Sequence, residues 1–188
     1  INYVDLLQRE NITEAERTEY LGILERQSAR LKKLIEDLIE ASKASTGNLV
    51  INKEPCNIQI LLTQAAGEFE EKFLANDLEL LVHKPDTPVT IQADNRHLWR
   101  IFDNLMNNIC KYAQPGTRVY IDIEINNHDL LIIFRNTSKY ALNLNGADLT
   151  ERFIRGDISR HTEGNGLGLS IAQSLAESMD GTLTIHTD

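Results

Sequence analysis

The chain has 188 residues, 41% of them hydrophobic and 25% charged, with a formal net charge of −9. There is enough apolar material for one ordinary domain with an appendage, and an acidic balance without a basic stripe argues against a nucleic-acid partner. Cys56 and Cys110 have neither CxxC spacing nor metal-ligand company, which points to two buried, reduced thiols, and the longest apolar run, Leu130 to Phe134, is strand-sized and too short to span a membrane.

Residues 1–46 form the first organisational unit. Ile1 to Arg9 reads as the end of a helix, and the chain, starting at Ile1, reads as part of something longer. Asn11 to Thr13 is a turn, and Thr13 with Glu16 three residues on is a capping box. In the long helix that follows, Leu24, Leu31 and Leu38 recur every seven residues, and Leu34, Ile35 and Ala41 fill the alternate positions. That is a coiled-coil or bundle seam, although an ordinary core-packing helix would share much of the pattern. Two helices of this composition cannot bury the seam alone, so a second copy of the chain is expected against it. Ser42 to Asn48 is a small, polar linker.

Residues 47–188 form the second unit. Leu49 to Glu54 alternates like an edge strand, and Asn57 can cap a helix from Ile58 to about Leu74. Strands over Leu78–His83 and Val89–Ala93 flank the turn Lys84 to Pro88. Asp94 caps a helix that runs to Ala113 and stops at Gln114-Pro-Gly116. Arg118–Ile125 and Leu130–Asn136 make a hairpin, residues 138–163 a long polar lid, and Thr182–His186 a last strand. This order predicts an α+β chain: a helical hairpin followed by an α/β sandwich whose mixed sheet carries helices on one face.

Two stretches carry chemistry. On the helix after Asp94, Leu98, Ile101, Phe102, Leu105, Ile109 and Tyr112 form an apolar stripe. Asn104, Asn108 and Lys111 lie at i, i+4 and i+7 and share a second face. Amide oxygens suit a hard cation such as Mg²⁺, and an ammonium suits phosphate. The second stretch, Gly164-Asn-Gly166-Leu167-Gly168-Leu169, runs into an amphipathic helix ending near Met179. Glycines let a backbone approach phosphates, and a helix N-terminus offers free N–H groups. With no strand directly before it and no Walker lysine, neither a Rossmann nor a P-loop reading fits.

Together these stretches resemble the N box and second G box of the sensor histidine kinases, and Leu149 to Asp157 between them resembles that family's F box. The resemblance implies the Bergerat ATP-binding fold, with ATP and Mg²⁺ as cofactors. It makes Asn108 the Mg²⁺ ligand, Lys111 a phosphate contact with a catalytic role, Tyr112 an aromatic beside the nucleotide and Asn104 part of the cavity lining. Gly164, Gly166, Leu167, Gly168 and Leu169 become the phosphate loop, and Arg152 and Arg155, with Arg160, catalytic contacts to the terminal phosphate or the transfer hairpin. Phe153 is expected to pack the lid, and His161 to be a surface residue.

Two departures carry information. Hydrolysing relatives of the fold, such as gyrase and mismatch-repair ATPases, place a glutamate four residues before the Mg²⁺ asparagine as general base. Here that place holds Asn104, which takes no proton at neutral pH. The first G box, Asp-x-Gly-x-Gly in the family with the Asp reading adenine, is Asn136-Thr-Ser138-Lys-Tyr140 here.

The N-terminal helices look like the dimerisation and histidine-phosphotransfer hairpin, yet residues 1–50 contain no histidine. The acceptor is therefore expected upstream of Ile1. The implied protein is the cytoplasmic catalytic core of a membrane-anchored sensor, a homodimer through its N-terminal helices, handing phosphate through the acceptor histidine to a response-regulator receiver domain. Two rivals remain: a serine-directed kinase of the anti-sigma-factor type, and a nucleotide-binding module that only dimerises.

Overall fold

The computed structural model describes residues 2–9, 11–46, 49–126, 129–140 and 166–187, leaving aside the side chains of 44 and 45. The chain divides into two compact units, 1–40 and 41–188, so the division falls inside the long helix, ahead of the boundary expected after residue 46.

In the first unit, α1 (Tyr3–Leu7) is capped by Asn2, whose side chain accepts from the backbone N–H of Val4. The capping box ahead of α2 (Glu14–Ser45) is formed as expected. Glu16 N donates to Thr13 Oγ1 at 3.2 Å, and Thr13 N donates back to Glu16 Oε2 at 2.9 Å. Tyr3 packs on Tyr20, ring centroids 5.6 Å apart, which folds α1 back on α2.

The second unit holds β1 (Glu54–Asn57), α3 (Ile58–Ala75), β2 (Leu78–His83), β3 (Thr90–Ala93), α4 (Asn95–Tyr112), β4 (Thr117–Asn126), β5 (Asp129–Asn136) and α5 (Gly168–Ser178). β1 pairs antiparallel with β3, while β2, β4 and β5 form a mixed sheet, parallel between β2 and β4 and antiparallel between β4 and β5. Along β4, Val119, Ile121 and Ile123 are buried and Glu124 is exposed. The pleat thus turns one face toward the helices. α4 meets that face through Phe102, whose ring centroid lies 5.9 Å from that of Phe134 on β5. Ile58, Leu62, Phe69 and Phe73 of α3 and Ile171, Ala172 and Leu175 of α5 complete the core.

Two expected strands come out differently. Residues 49–53 are not a strand; Asn52 N donates to Asp94 Oδ2 at 2.9 Å instead of to a ladder, and pairing begins at Glu54 opposite Ala93. Thr182–His186 also lacks strand structure, because no described residue pairs with it, although Leu183 still packs on the core. Of the two thiols expected to be buried, Cys56 is, whereas Cys110 is half-buried.

The outer face of the mixed sheet holds a cluster assembled from residues far apart in the sequence. Asp122 on β4 is only 6% exposed. His83 Nδ1 on β2 lies 2.6 Å from its Oδ1, and Arg135 on β5 donates to its Oδ2. Burial pushes the Asp122 carboxyl up, and the bonds from His83 and Arg135 more than offset this, holding it below the ordinary range. The cluster ties three strands together on the face away from α4.

Candidate functional site: the α4–α5 junction

α4 is positioned from its first turn. Asp94 Oδ1 accepts from the backbone N–H groups of Arg96 at 3.0 Å and His97 at 3.2 Å, while Oδ2 accepts from Asn52. His97 Nδ1 lies 2.9 Å from Oδ2 without the alignment of a hydrogen bond. Burial raises the Asp94 carboxyl, but the bonds from Asn52 and His97 outweigh it and lower the pKa to about 2.

Three turns further on, the helix presents the polar face read from the sequence. Asn104 is buried, and Asn108, Lys111 and Tyr112 are half-buried. Lys111 Nζ stands 5.0 Å from the centroid of the Tyr112 ring. The neighbouring Asn107 points another way. Its Nδ2 donates to Asp103, and its Oδ1 accepts from Lys72 of α3 at 3.4 Å. The two adjacent asparagines thus serve different surfaces, as their separation of one residue on a helix dictates.

α5 begins beside Asn104. Gly166 adopts φ +69°, a left-handed conformation that suits glycine, and Leu167 stands at the N-cap position with no side-chain cap. A Cβ on Gly168 would lie 3.3 Å from Asn104 Oδ1, so the absence of a side chain is what lets α5 start against this amide. Asn104 is 9% exposed, and its Nδ2 has no hydrogen-bond partner among the described residues. A buried amide donor with nothing to donate to is costly. Here it stands next to a helix start whose first N–H groups also lack a side-chain acceptor. Among the described residues, a buried amide donor and the first N–H groups of α5 thus stand near this junction without side-chain acceptors, while Asn104 Oδ1 is the atom that faces Gly168. Free N–H groups at a helix start suit an anion.

The other end of α4 is tied to the segment after β5. Gln114 N donates to Thr137 O at 2.8 Å, and Lys139 N donates to Tyr112 O at 2.9 Å. Asn136, opposite Val119 in the β4–β5 register, is exposed on the helix-facing side of the sheet, two residues beyond Phe134. The structure therefore brings Asn104, Asn108, Lys111, Tyr112, Asn136, Gly166, Leu167, Gly168 and Leu169 to the surroundings of one helix. Leu167 is itself buried, so only its backbone can serve a ligand. Gly164, Arg152, Arg155, Arg160, Phe153 and His161 lie outside the described residues.

Among the described residues no cluster of three or more His, Cys, Asp or Glu side chains could hold a metal alone. The residue types present are compatible with a hard cation that arrives with phosphate: Asn108 would offer an amide oxygen, and the N–H groups at the start of α5 would face phosphate oxygens.

Residues 93–188 match the family described as histidine kinase-, DNA gyrase B- and HSP90-like ATPases. The chain is 30% identical over 197 residues to the sensor protein GacS of Pseudomonas syringae pv. syringae, covering all of this chain and 21% of GacS. Among solved structures, full-length ShkA in complex with AMPPNP aligns with a TM-score of 0.78 at 22% identity, over 97% of this chain and 38% of ShkA. Histidine kinase ThkA in complex with the response regulator TrrA aligns with a TM-score of 0.71 at 16% identity, over 99% of this chain and 52% of that chain. The chain spans about a fifth to a half of the length of the curated relatives it matches.

Proposed function

Since the chain belongs to the histidine kinase-, DNA gyrase B- and HSP90-like ATPase family, we propose that it acts as the catalytic core of a sensor histidine kinase, with residues 47–188 binding Mg-ATP and residues 1–46 belonging to the dimerisation hairpin. The observation that carries the reading is the α4–α5 junction, where the buried Nδ2 of Asn104 and the start of α5 offer donors that have no side-chain acceptor among the described residues. Asn108 would hold Mg²⁺, which when bound neutralises phosphate charge. Lys111 adds an ammonium on the same face of α4 and, with Arg152 and Arg155, is assigned the transfer role.

Phosphoryl transfer asks mainly for positioning and charge neutralisation. Asn104 cannot act as a base toward water, so the terminal phosphoryl group is kept for a protein acceptor. The acceptor is a histidine outside residues 1–50, which contain none. From it the group passes to an aspartate of a response-regulator receiver domain.

The exposed apolar side chains of Leu31, Ile35 and Leu38 on α2 recur at i, i+4 and i+7, a stripe suited to a second copy of the helix and hence to a homodimer. No helix among the described residues is long and apolar enough to cross a membrane. The reading places this part on the cytoplasmic side of a membrane-anchored parent.

A module that binds nucleotide without transferring phosphate is the second reading, favoured by Asn136, Ser138 and Tyr140 in place of the first G box. Calorimetric titration with Mg-ADP, followed by labelled ATP with a supplied acceptor hairpin, separates the two. The kinase reading expects ADP binding, no acid-labile label on the chain alone, and label on the hairpin histidine. ADP binding without label on the hairpin supports the second reading, and absence of ADP binding overturns both.

A further inference from the structure

The segment that replaces the first G box is built, and it ends on an aromatic ring. Besides the two backbone bonds to α4, Ala113 and Ser138 form an antiparallel bridge. Ser138 Oγ donates to Tyr140 O at 2.8 Å and accepts from Tyr140 N at 3.2 Å, which fixes the backbone on both sides of Tyr140. The Tyr140 ring is half-buried, with Lys139 Nζ 5.6 Å from its centroid.

The two ends of the site are chemically unlike. At the start of α5 there are first-turn N–H groups without a side-chain cap. At the other end of α4 there are Tyr112, with the Lys111 ammonium 5.0 Å from its ring centroid and able to reach back along the helix toward phosphate, Tyr140, and the exposed amide of Asn136. Eight residues separate Asn104 from Tyr112, roughly 12 Å at the helical rise, which is the reach of a nucleotide from its terminal phosphates to its base. A ligand anchored by phosphate at α5 therefore brings its flat heterocycle to the second end. A base needs a planar apolar wall and an edge partner, and aromatic rings give such a wall to any base.

We infer that Tyr140 is that wall: the nucleobase stacks on its ring while Asn136 reads the base edge. The inference rests on the nucleotide-binding reading above. It gives a binding role to a side chain at a place where the resembling family has glycine, and it accounts for Ser138, whose hydroxyl holds the Tyr140 backbone.

The test compares Mg-ADP with Mg-pyrophosphate, which has phosphates and no base, by calorimetry on the chain and its variants. Tyr140→Leu should weaken Mg-ADP roughly 5- to 100-fold, the range for loss of one base–aromatic stack, and leave Mg-pyrophosphate unchanged. Tyr140→Phe should stay within about twofold of the natural protein for both ligands. Tyr140→Trp keeps a stacking ring, and its emission should be quenched by Mg-ADP and not by Mg-pyrophosphate. Unchanged or tighter Mg-ADP binding in Tyr140→Leu overturns the inference, as does an equal loss for both ligands. If the natural protein binds Mg-pyrophosphate and not Mg-ADP, the nucleotide reading falls and this inference with it. Binding of ADP that ignores Tyr140 removes the inference alone.

Discussion

The carboxylate of Asp94 sets the start of the site helix, and its contribution can be worked out. With three backbone donors on it and His97 Nδ1 2.9 Å away, its folded pKa is about 2 against an ordinary 3.8. A lowered folded pKa means that the stabilisation is complete above the unfolded value and is lost as pH falls through the folded one. Each pKa unit corresponds to about 1.4 kcal/mol, so the ionised form contributes roughly 2 kcal/mol near neutrality, falling to about half of that by pH 3.

Asp94→Ala removes the cap, about 0.5–2 kcal/mol, and orphans the Asn52 N–H, a further cost of about 1–3 kcal/mol where it is shielded from water. Asp94→Asn keeps one acceptor oxygen for the cap but turns an NH₂ toward a donor, so its loss should be smaller. Urea unfolding of the natural protein and Asp94→Asn, at pH 7 and pH 3, measures the difference between them. That difference should shrink by about 1 kcal/mol at pH 3. A difference that is constant across this interval refutes the assignment of the low pKa to the capping bonds.

Asn108→Ala should abolish the Mg²⁺-dependent part of nucleotide binding, whereas Asn107→Ala, which severs only bonds to Asp103 and Lys72, should keep it; calorimetry with and without Mg²⁺ tells them apart. Gly168→Ala pushes a Cβ to 3.3 Å from Asn104 Oδ1 and should cost about 1–3 kcal/mol by overpacking, while Gly67→Ala, at an exposed position in α3 with nothing within 4 Å, should raise stability by about 0.5–1 kcal/mol. Thermal unfolding reads both, and equal signs for the two would refute the close contact. Asn136→Asp should sharpen discrimination of ADP from GDP, because an asparagine amide can turn to pair with either base edge and an ionised carboxylate can only accept. Paired dissociation constants test it, and a natural protein that discriminates as well as the variant shows the amide to be locked.

The features legible from the sequence are the ones closed over a few residues. The caps at Thr13, Asn57 and Asp94 reach two or three residues along the chain, and all three form. The helical face of Asn104, Asn108 and Lys111 follows from the period of α4, and the hairpin of β4 and β5 from two adjacent alternating runs. Alternation alone misplaced β1 and supplied a last strand that does not form, because a strand exists only where another segment pairs with it, and that partner is remote in sequence. Asn52 shows the competition directly: its N–H meets a carboxylate 42 residues away instead of a ladder. Only the tertiary structure joined His83, Asp122 and Arg135, which the strand register brings together across three strands. It alone showed that a Cβ at Gly168 would stand in tight contact, 3.3 Å, with the Oδ1 of a buried amide 64 positions earlier. Helical period and capping are local interactions written into neighbouring residues, whereas pairing, burial and the meeting of Asn104 with α5 depend on which distant segment arrives, and packing decides that.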